Sequence, residues 1–425
     1  MQYSSMSKGE LLEAKEQLEK QYKECKEKNL SINMTRGKPC RKQLDLSEDM
    51  LKTISCNEDC FTSKGFDCRN YGLVDGLDDA KRLFSPIIGV PWEQIIVGGN
   101  SSLNLMYDEM ARCMLYGVYG GNGPWIKQEK LKFLCPVPGY DRHFGVCESL
   151  GIEMVNVPLT DKGPDMDIVE ELVKDESVKG MWCVPKYSNP TGITYSDETV
   201  KRIAALKPAS KDFRVFWDNA YAVHDLYDDG DKLLDILPEC EKAGNPDLVF
   251  IFTSTSKISY PGSGVSCLGA SVNNIEQIKK IMQMQTIGHD KMNMLRHVKY
   301  FKSADGIREY MKKHAAILRP KFEMCEKVLA ENLSDTENVS WTVPKGGYFI
   351  SLDVLRGCAQ RVVSLSKDAG VTLTEAGATF PYHKDPEDKN IRLAPSFPTL
   401  DELELGMEVL CVCVKLAAVE KLLSK

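Results

Sequence analysis

The chain has 425 residues, 43% hydrophobic and 27% charged, and carries a net charge of −7. That length suffices for a sizeable core and two domains, and a mildly acidic balance without a basic patch excludes nucleic acid as an expected partner. Fifteen cysteines, an odd number in a chain this long, argue for buried free thiols in a reducing cytosol rather than a disulfide framework.

The opening Met1-Gln-Tyr-Ser-Ser-Met-Ser-Lys-Gly-Glu10 has no apolar signal core, so a cytoplasmic protein is expected. Residues 7–28 are charged, with Leu11, Leu12, Leu18 and Tyr22 at helical spacing, and predict an amphipathic helix. A turn-rich stretch, Met34-Thr-Arg36-Gly37-Lys38-Pro39, follows. Cys56, Cys60 and Cys68 cluster, but their spacing matches no zinc pattern and no histidine is near, so no metal is expected. Residues 80–84 and 108–115 read as helices. Between them Ile95-Ile-Val97 reads as a short strand that runs through Gly98-Gly99 into Asn100-Ser101-Ser102. Further strands are predicted at 131–135, 180–184, 213–217, 248–252 and 267–271, with helices at 166–174 and 197–206. Strands alternating with helices predict an α/β domain with a mainly parallel sheet flanked by helices.

After about Asp290 the pattern changes. One long charged helical region is predicted over 292–332, then a strand at 339–342, a turn and strand at Gly346-Gly-Tyr-Phe349, and a final helix after Thr399. This reads as a smaller α+β domain. The most apolar long segment, 407–419, is interrupted by Glu408 and Lys415 and predicts an amphipathic helix rather than a membrane span. No repeat appears, and the first 60 residues carry no helix-turn-helix pattern.

In an open α/β sheet, ligands bind beyond the carboxyl ends of the strands. The polar residues of interest fall there. Lys257 closes Phe252-Thr-Ser-Thr-Ser-Lys257; a desolvated lysine is nucleophilic and serves as a general base. Asp218 ends the apolar run Phe213-Arg-Val-Phe-Trp217, where an acid must find a partner; a pyridinium proton or a helix N-cap would serve. Together they are what pyridoxal phosphate requires: a lysine for the Schiff base and an acid at the ring nitrogen. Asn189, in Ser188-Asn189-Pro190, and Tyr221 are candidate donors to the cofactor's phenolic oxygen; a turn and a core tyrosine are the alternatives. Asn100, Ser101 and Ser102 open a helix and suit a phosphate, or simply cap. Ser254 and Ser256 add hydroxyls. Tyr140 is a candidate to stack on the ring, and His143 to lie behind it and bond Asp218. Arg392, in Asn390-Ile-Arg392, suits a substrate's α-carboxylate, or a surface ion pair.

In this order these motifs resemble the fold-type I pyridoxal-phosphate-dependent aminotransferases over nearly the whole chain. The resemblance runs from Arg36-Gly-Lys-Pro39 through Asn70-Tyr71-Gly72, Pro138-Gly-Tyr140, Asn189-Pro-Thr-Gly192, Asp218-Asn-Ala-Tyr221 and Ser254-Thr-Ser-Lys257 to Gly346-Gly-Tyr-Phe349 and Arg392. Thr35–Pro39, Thr253–Lys257, Ile287-Gly-His-Asp-Lys291 and Leu295-Arg-His297 are similar to the bacterial aspartate aminotransferase branch with MocR-like domains. The resemblance implies a homodimer with shared active sites that acts on an amino acid and a 2-oxo acid; without an apolar span, no membrane partner is expected. It implies an N-terminal segment (1–60) that joins a C-terminal small domain (301–425), and a large cofactor-binding domain (61–300). Tyr71 would reach the neighbouring subunit's phosphate, Gly37 would close over the substrate carboxylate, and Lys291 of the partner subunit or Arg36 would take a second carboxylate. The expected reaction is ping-pong transamination of L-aspartate with 2-oxoglutarate through a Lys257 aldimine. An aromatic or alanine-type aminotransferase, a carbon–sulfur lyase and a cofactor-binding regulatory module are the alternatives. One departure stands out. The segment after the lysine, Lys257-Ile-Ser-Tyr-Pro-Gly-Ser-Gly-Val-Ser266, lacks the phosphate-binding arginine usual in the family. A weaker hold on the cofactor is expected, measurable as faster release than from an arginine-containing relative.

Overall fold

A computed structural model of the protein describes residues 3–424. Met1 and Gln2, with which the opening segment starts, and Lys425 lie outside the described residues. The large sheet has eight strands: β1 (Ile95–Val97), β2 (Lys132–Val137), β3 (Glu153–Thr160), β4 (Gly163–Pro164), β5 (Val178–Cys183), β6 (Arg214–Asp218), β7 (Val249–Ser254) and β8 (Ser266–Ala270). Their order is β1-β8-β7-β6-β5-β2-β3-β4. Strands β3, β2, β5, β6 and β7 run parallel, and β8 is antiparallel to both β7 and β1. β1 therefore points the same way as β7, and β1, β2, β5, β6 and β7 all end on one edge.

The central strands are buried on both faces, which is why they read as continuous apolar runs. Side chains alternate across the sheet. Val215, Trp217, Val249 and Ile251 enter one apolar cluster, and Phe216, Phe250 and Phe252 another on the opposite face. β3 was not expected from the sequence. It contains Pro158 and buries only Met154 and Val157 fully, as suits a strand near the sheet's edge. At the middle of the sheet Gly180 lies between Phe133 of β2 and Arg214 of β6. A Cβ there would overlap the Phe133 ring and the Arg214 carbonyl. Gly180→Ala is expected to destabilise the fold by about 1–3 kcal/mol through overpacking, read as a lowered midpoint in denaturant unfolding; an unchanged midpoint would contradict this packing.

Two expectations are corrected. The long helical region is two helices, Lys291–Phe301 and Ala304–Leu333. The chain breaks at Lys302, which has a φ of 65°, and restarts at Ser303, whose hydroxyl accepts from the Gly306 N–H. The final helix, Leu400–Leu423, is not amphipathic. It packs against Lys8–Glu27, Ala304–Leu333 and Ala359–Asp368, and these neighbours bury Met407, Leu410, Val414 and Ala417 together with Val409, Cys413 and Leu416. A helix enclosed on nearly all sides is apolar nearly all round. Among the described residues, no helix is long and apolar enough to cross a membrane.

The N-terminal helix, the helices after Ala304 and a three-stranded antiparallel sheet (Ser340–Trp341, Ile350–Asp353, Asn390–Leu393) share one apolar cluster. Val184, Tyr187, Tyr221 and Leu226 of the large-sheet region join it. This contact brings Arg392 over the strand ends. All cysteines but Cys56 are buried, and among the described residues no group of three His, Cys, Asp or Glu could hold a metal.

Candidate active site

A cavity of about 260 Å³ opens beyond the carboxyl ends of the parallel strands, and Lys257, Asp218, Asn189 and Arg392 line it. Asp218 is the last residue of β6 and is 3% exposed. Its Oδ2 lies 3.0 Å from His143 Nε2, and its buried Oδ1 has no hydrogen-bond partner among the described residues. His143 comes from the helix Asp141–Ser149 after β2, and its ring stacks on Trp182 of β5 at 4.3 Å. The imidazole thus fixes one carboxylate oxygen and leaves the other facing the cavity. A buried acceptor without a donor costs free energy, so this oxygen marks a place for a donor from a bound group.

Lys257 follows β7 in the turn Thr255-Ser-Lys257. Its Nζ lies 5.0 Å from the Tyr221 ring centre and 5.8 Å from that of Tyr348. The residue is partly exposed where it lines the cavity, yet burial of the ammonium pushes its pKa below the usual lysine range. The Asp218 charge opposes that shift and the Arg392 charge adds to it. Tyr221 is 3% exposed, and burial drives its phenol well above the ordinary value. Tyr140 stands edge-on to His143 at 4.9 Å, and burial, aided by Asp218 and Asp141, pushes its phenol up to about 12.

Ser101 and Ser102 line the cavity at the start of the helix Ser102–Tyr116, where backbone N–H groups are free of helical partners. Ser254 donates to Ser256, and Ser256 donates to the Asn100 carbonyl at 2.9 Å. The Asn100 side chain turns instead to the Pro261 carbonyl, 3.2 Å away, so it ties two loops together and does not line the cavity. Arg36 and Gly37 line the opposite wall, where a Cβ on Gly37 would press on the Phe349 ring at 2.6 Å.

Arg392 is 5% exposed. Its Nη1 donates to Asp141 Oδ1 at 2.8 Å and to Asn189 Oδ1 at 3.3 Å, while its Nε is buried without a partner among the described residues. Two candidates lie elsewhere. Tyr71, 79% exposed, and Lys291, 7% exposed, border a separate surface pocket with His289 and Asp290. Asp141 and Arg142 line the main cavity and were not singled out in the sequence. The only local signal is their place directly after Tyr140, at the strand-to-helix turn.

The residues present fit pyridoxal phosphate. The unpartnered Asp218 Oδ1 suits a pyridinium N–H, the helix start and hydroxyls suit a phosphate, and Lys257 faces the space between them.

The family model described as aspartate amino-transferase matches residues 6–425. An aspartate aminotransferase of Corynebacterium glutamicum is 47% identical over 95% of this chain and 94% of its own length. The crystal structure of an aspartate transaminase from the same species superposes with a TM-score of 0.97 at 45% identity, covering 99% of both chains. A more distant relative, an HTH-type transcriptional regulator of Bacillus subtilis, is 23% identical over 64% of this chain and 53% of its own. With a match along virtually its whole length, this chain belongs to the aspartate amino-transferase family.

Proposed function

We propose that this aminotransferase exchanges amino groups between L-aspartate and 2-oxoglutarate, with Lys257 as the proton carrier. The observation that carries the reading is the convergence of Lys257, Asp218 with its open oxygen, and the buried Arg392 in one cavity. The aspartate aminotransferase named among the relatives supports the choice of substrate. Pyridoxal phosphate, when bound, supplies an electron sink for the charge that develops at the substrate's Cα. Asp218 would hold a proton on the ring nitrogen, and His143 holds Asp218. Asn189 and Tyr221, which line the cavity, would donate to the phenolic oxygen. Arg392 binds the α-carboxylate and orients the Cα–H bond toward Lys257. Lys257 Nζ takes that proton, its lowered pKa making the neutral amine available. The 1–60 and 301–425 segments close over the substrate, carrying Arg36, Gly37 and Arg392. The enzyme is a homodimer, in which the exposed Tyr71 serves the neighbouring site.

The test is the visible spectrum of the holoenzyme. L-Aspartate alone bleaches the absorption band and 2-oxoglutarate restores it; a band that persists through aspartate but yields to another amino acid would sink the aspartate assignment.

A second carboxylate needs a second cation. Arg36 and Arg142 line the cavity, and neither makes an ion pair among the described residues; Lys291 of the partner subunit is the third candidate. Arg36→Gln, Arg142→Gln and Lys291→Ala are compared on aspartate and alanine. Removing the residue that reads the distal carboxylate lowers kcat/KM for aspartate by about 10- to 100-fold, the scale of a charge-assisted bond, and leaves alanine unchanged. Lys38 lines the same cavity, and if neither these three nor Lys38→Ala discriminates, the dicarboxylate reading fails.

A further inference from the structure

Asp141 has no part in the mechanism above, yet its carboxylate sits on the guanidinium that mechanism uses. It is the first residue of the helix Asp141–Ser149, its side chain is 27% exposed, and its Oδ1 lies 2.8 Å from Arg392 Nη1. The Arg392 side chain is 5% exposed. A guanidinium buried without a counter-charge is costly, and Asp141 is the carboxylate that meets it among the described residues. Asn189 reaches the same nitrogen only at 3.3 Å, and Thr374 reaches Nη2 at 3.4 Å.

We propose that Asp141 is an internal competitor for the substrate: it occupies Arg392 in the substrate-free enzyme, and an incoming α-carboxylate displaces it. The inference rests on the reading that Arg392 takes the α-carboxylate. A carboxylate that takes the Nη1–Nη2 edge meets Asp141 there and repels it, so binding on that edge is an exchange of one anion for another and not an addition. The partial exposure of Asp141 gives it water to turn toward. Its place in the first helical turn gives the displaced charge a favourable field, because the N-terminal end of a helix is positive. Asp141 therefore keeps Arg392 compensated while the site waits. It also raises the threshold for every carboxylate ligand, so a stray anion with no further contacts is held weakly.

The experiment titrates succinate, which has carboxylates and no amine, into the holoenzyme by calorimetry, alongside n-butylamine, which has the amine and no carboxylate. The Asp141→Asn side chain keeps its size and loses its charge. It is expected to bind succinate roughly tenfold tighter, between the effect of an exposed ion pair and that of a desolvated one, with butylamine unchanged. Asp141→Glu stays close to the parent, and Arg392→Gln loses succinate binding. Asp141→Ser serves as a second charge-free variant and is expected to shift in the same direction as Asp141→Asn. Equal or weaker succinate binding by both charge-free variants, with Arg392→Gln still losing it, overturns the competitor role and leaves the Arg392 reading standing. Parallel changes in succinate and butylamine also overturn it, since a structural disturbance moves both ligands. Retained succinate binding in Arg392→Gln overturns the α-carboxylate reading and the competitor role with it.

Discussion

Replacing Lys257 by alanine is expected to lower turnover by about 10³- to 10⁴-fold, the scale of a lost general base at the reacting carbon. The reason is positional. Lys257 Nζ is the amine that lies near both the Tyr221 and Tyr348 rings, facing the cavity that Asp218 and Arg392 share. Its ammonium is held below the ordinary pKa by burial, so an exposed lysine elsewhere does not replace it. Binding is expected to survive, because Arg392 and the cations of the cavity wall are untouched. Stopped-flow measurement of Cα-proton loss from deuterated and ordinary aspartate checks this. Small primary amines added to Lys257→Ala restore part of the rate by supplying the missing base. A variant that keeps its rate within tenfold of the parent would remove Lys257 from the proton path.

The second large effect is at Asp218. Asp218→Asn keeps the size of the side chain and a contact for His143 but removes the negative charge at the buried Oδ1. A fixed charge aimed at the reacting group in a low-dielectric site contributes on the order of 10²–10³ in rate, and turnover is expected to fall by that factor. His143→Gln, which acts only through Asp218, is expected to lose about tenfold. The discriminating readout is the pH dependence of the cofactor's visible band, which should change in Asp218→Asn and stay close to the parent in His143→Gln. Equal losses in the two variants would mean that the imidazole, not the carboxylate, faces the cofactor.

Much of this site lay open in the sequence because a parallel sheet writes it there. Strands buried on both faces must be apolar throughout, so a polar residue at the end of such a run stands where the chain leaves the core. Asp218 after Trp217, and Lys257 after Phe252, are legible for that reason. The missed strand β3 shows the limit of that signal. Near an edge burial is only partial, Pro158 is tolerated, and the apolar run disappears. The final helix failed in the opposite sense. Glu408 and Lys415 suggested two faces, but three neighbouring helices cover nearly all of its circumference.

The sequence by itself determined the class of fold, the order of the strand-end motifs and the residue types that a pyridoxal phosphate site requires, because these depend on local runs of burial and on chemistry. Only the tertiary structure decided which of those residues meet. Arg392 and Asp141 are 251 positions apart, and they pair because the small sheet docks over the strand ends. Tyr71 and Lys291 carry the same kinds of groups as the cavity residues, yet they border a different pocket. No local pattern encodes such distances. They follow from how sheets and helices pack, and packing is a property of the whole chain.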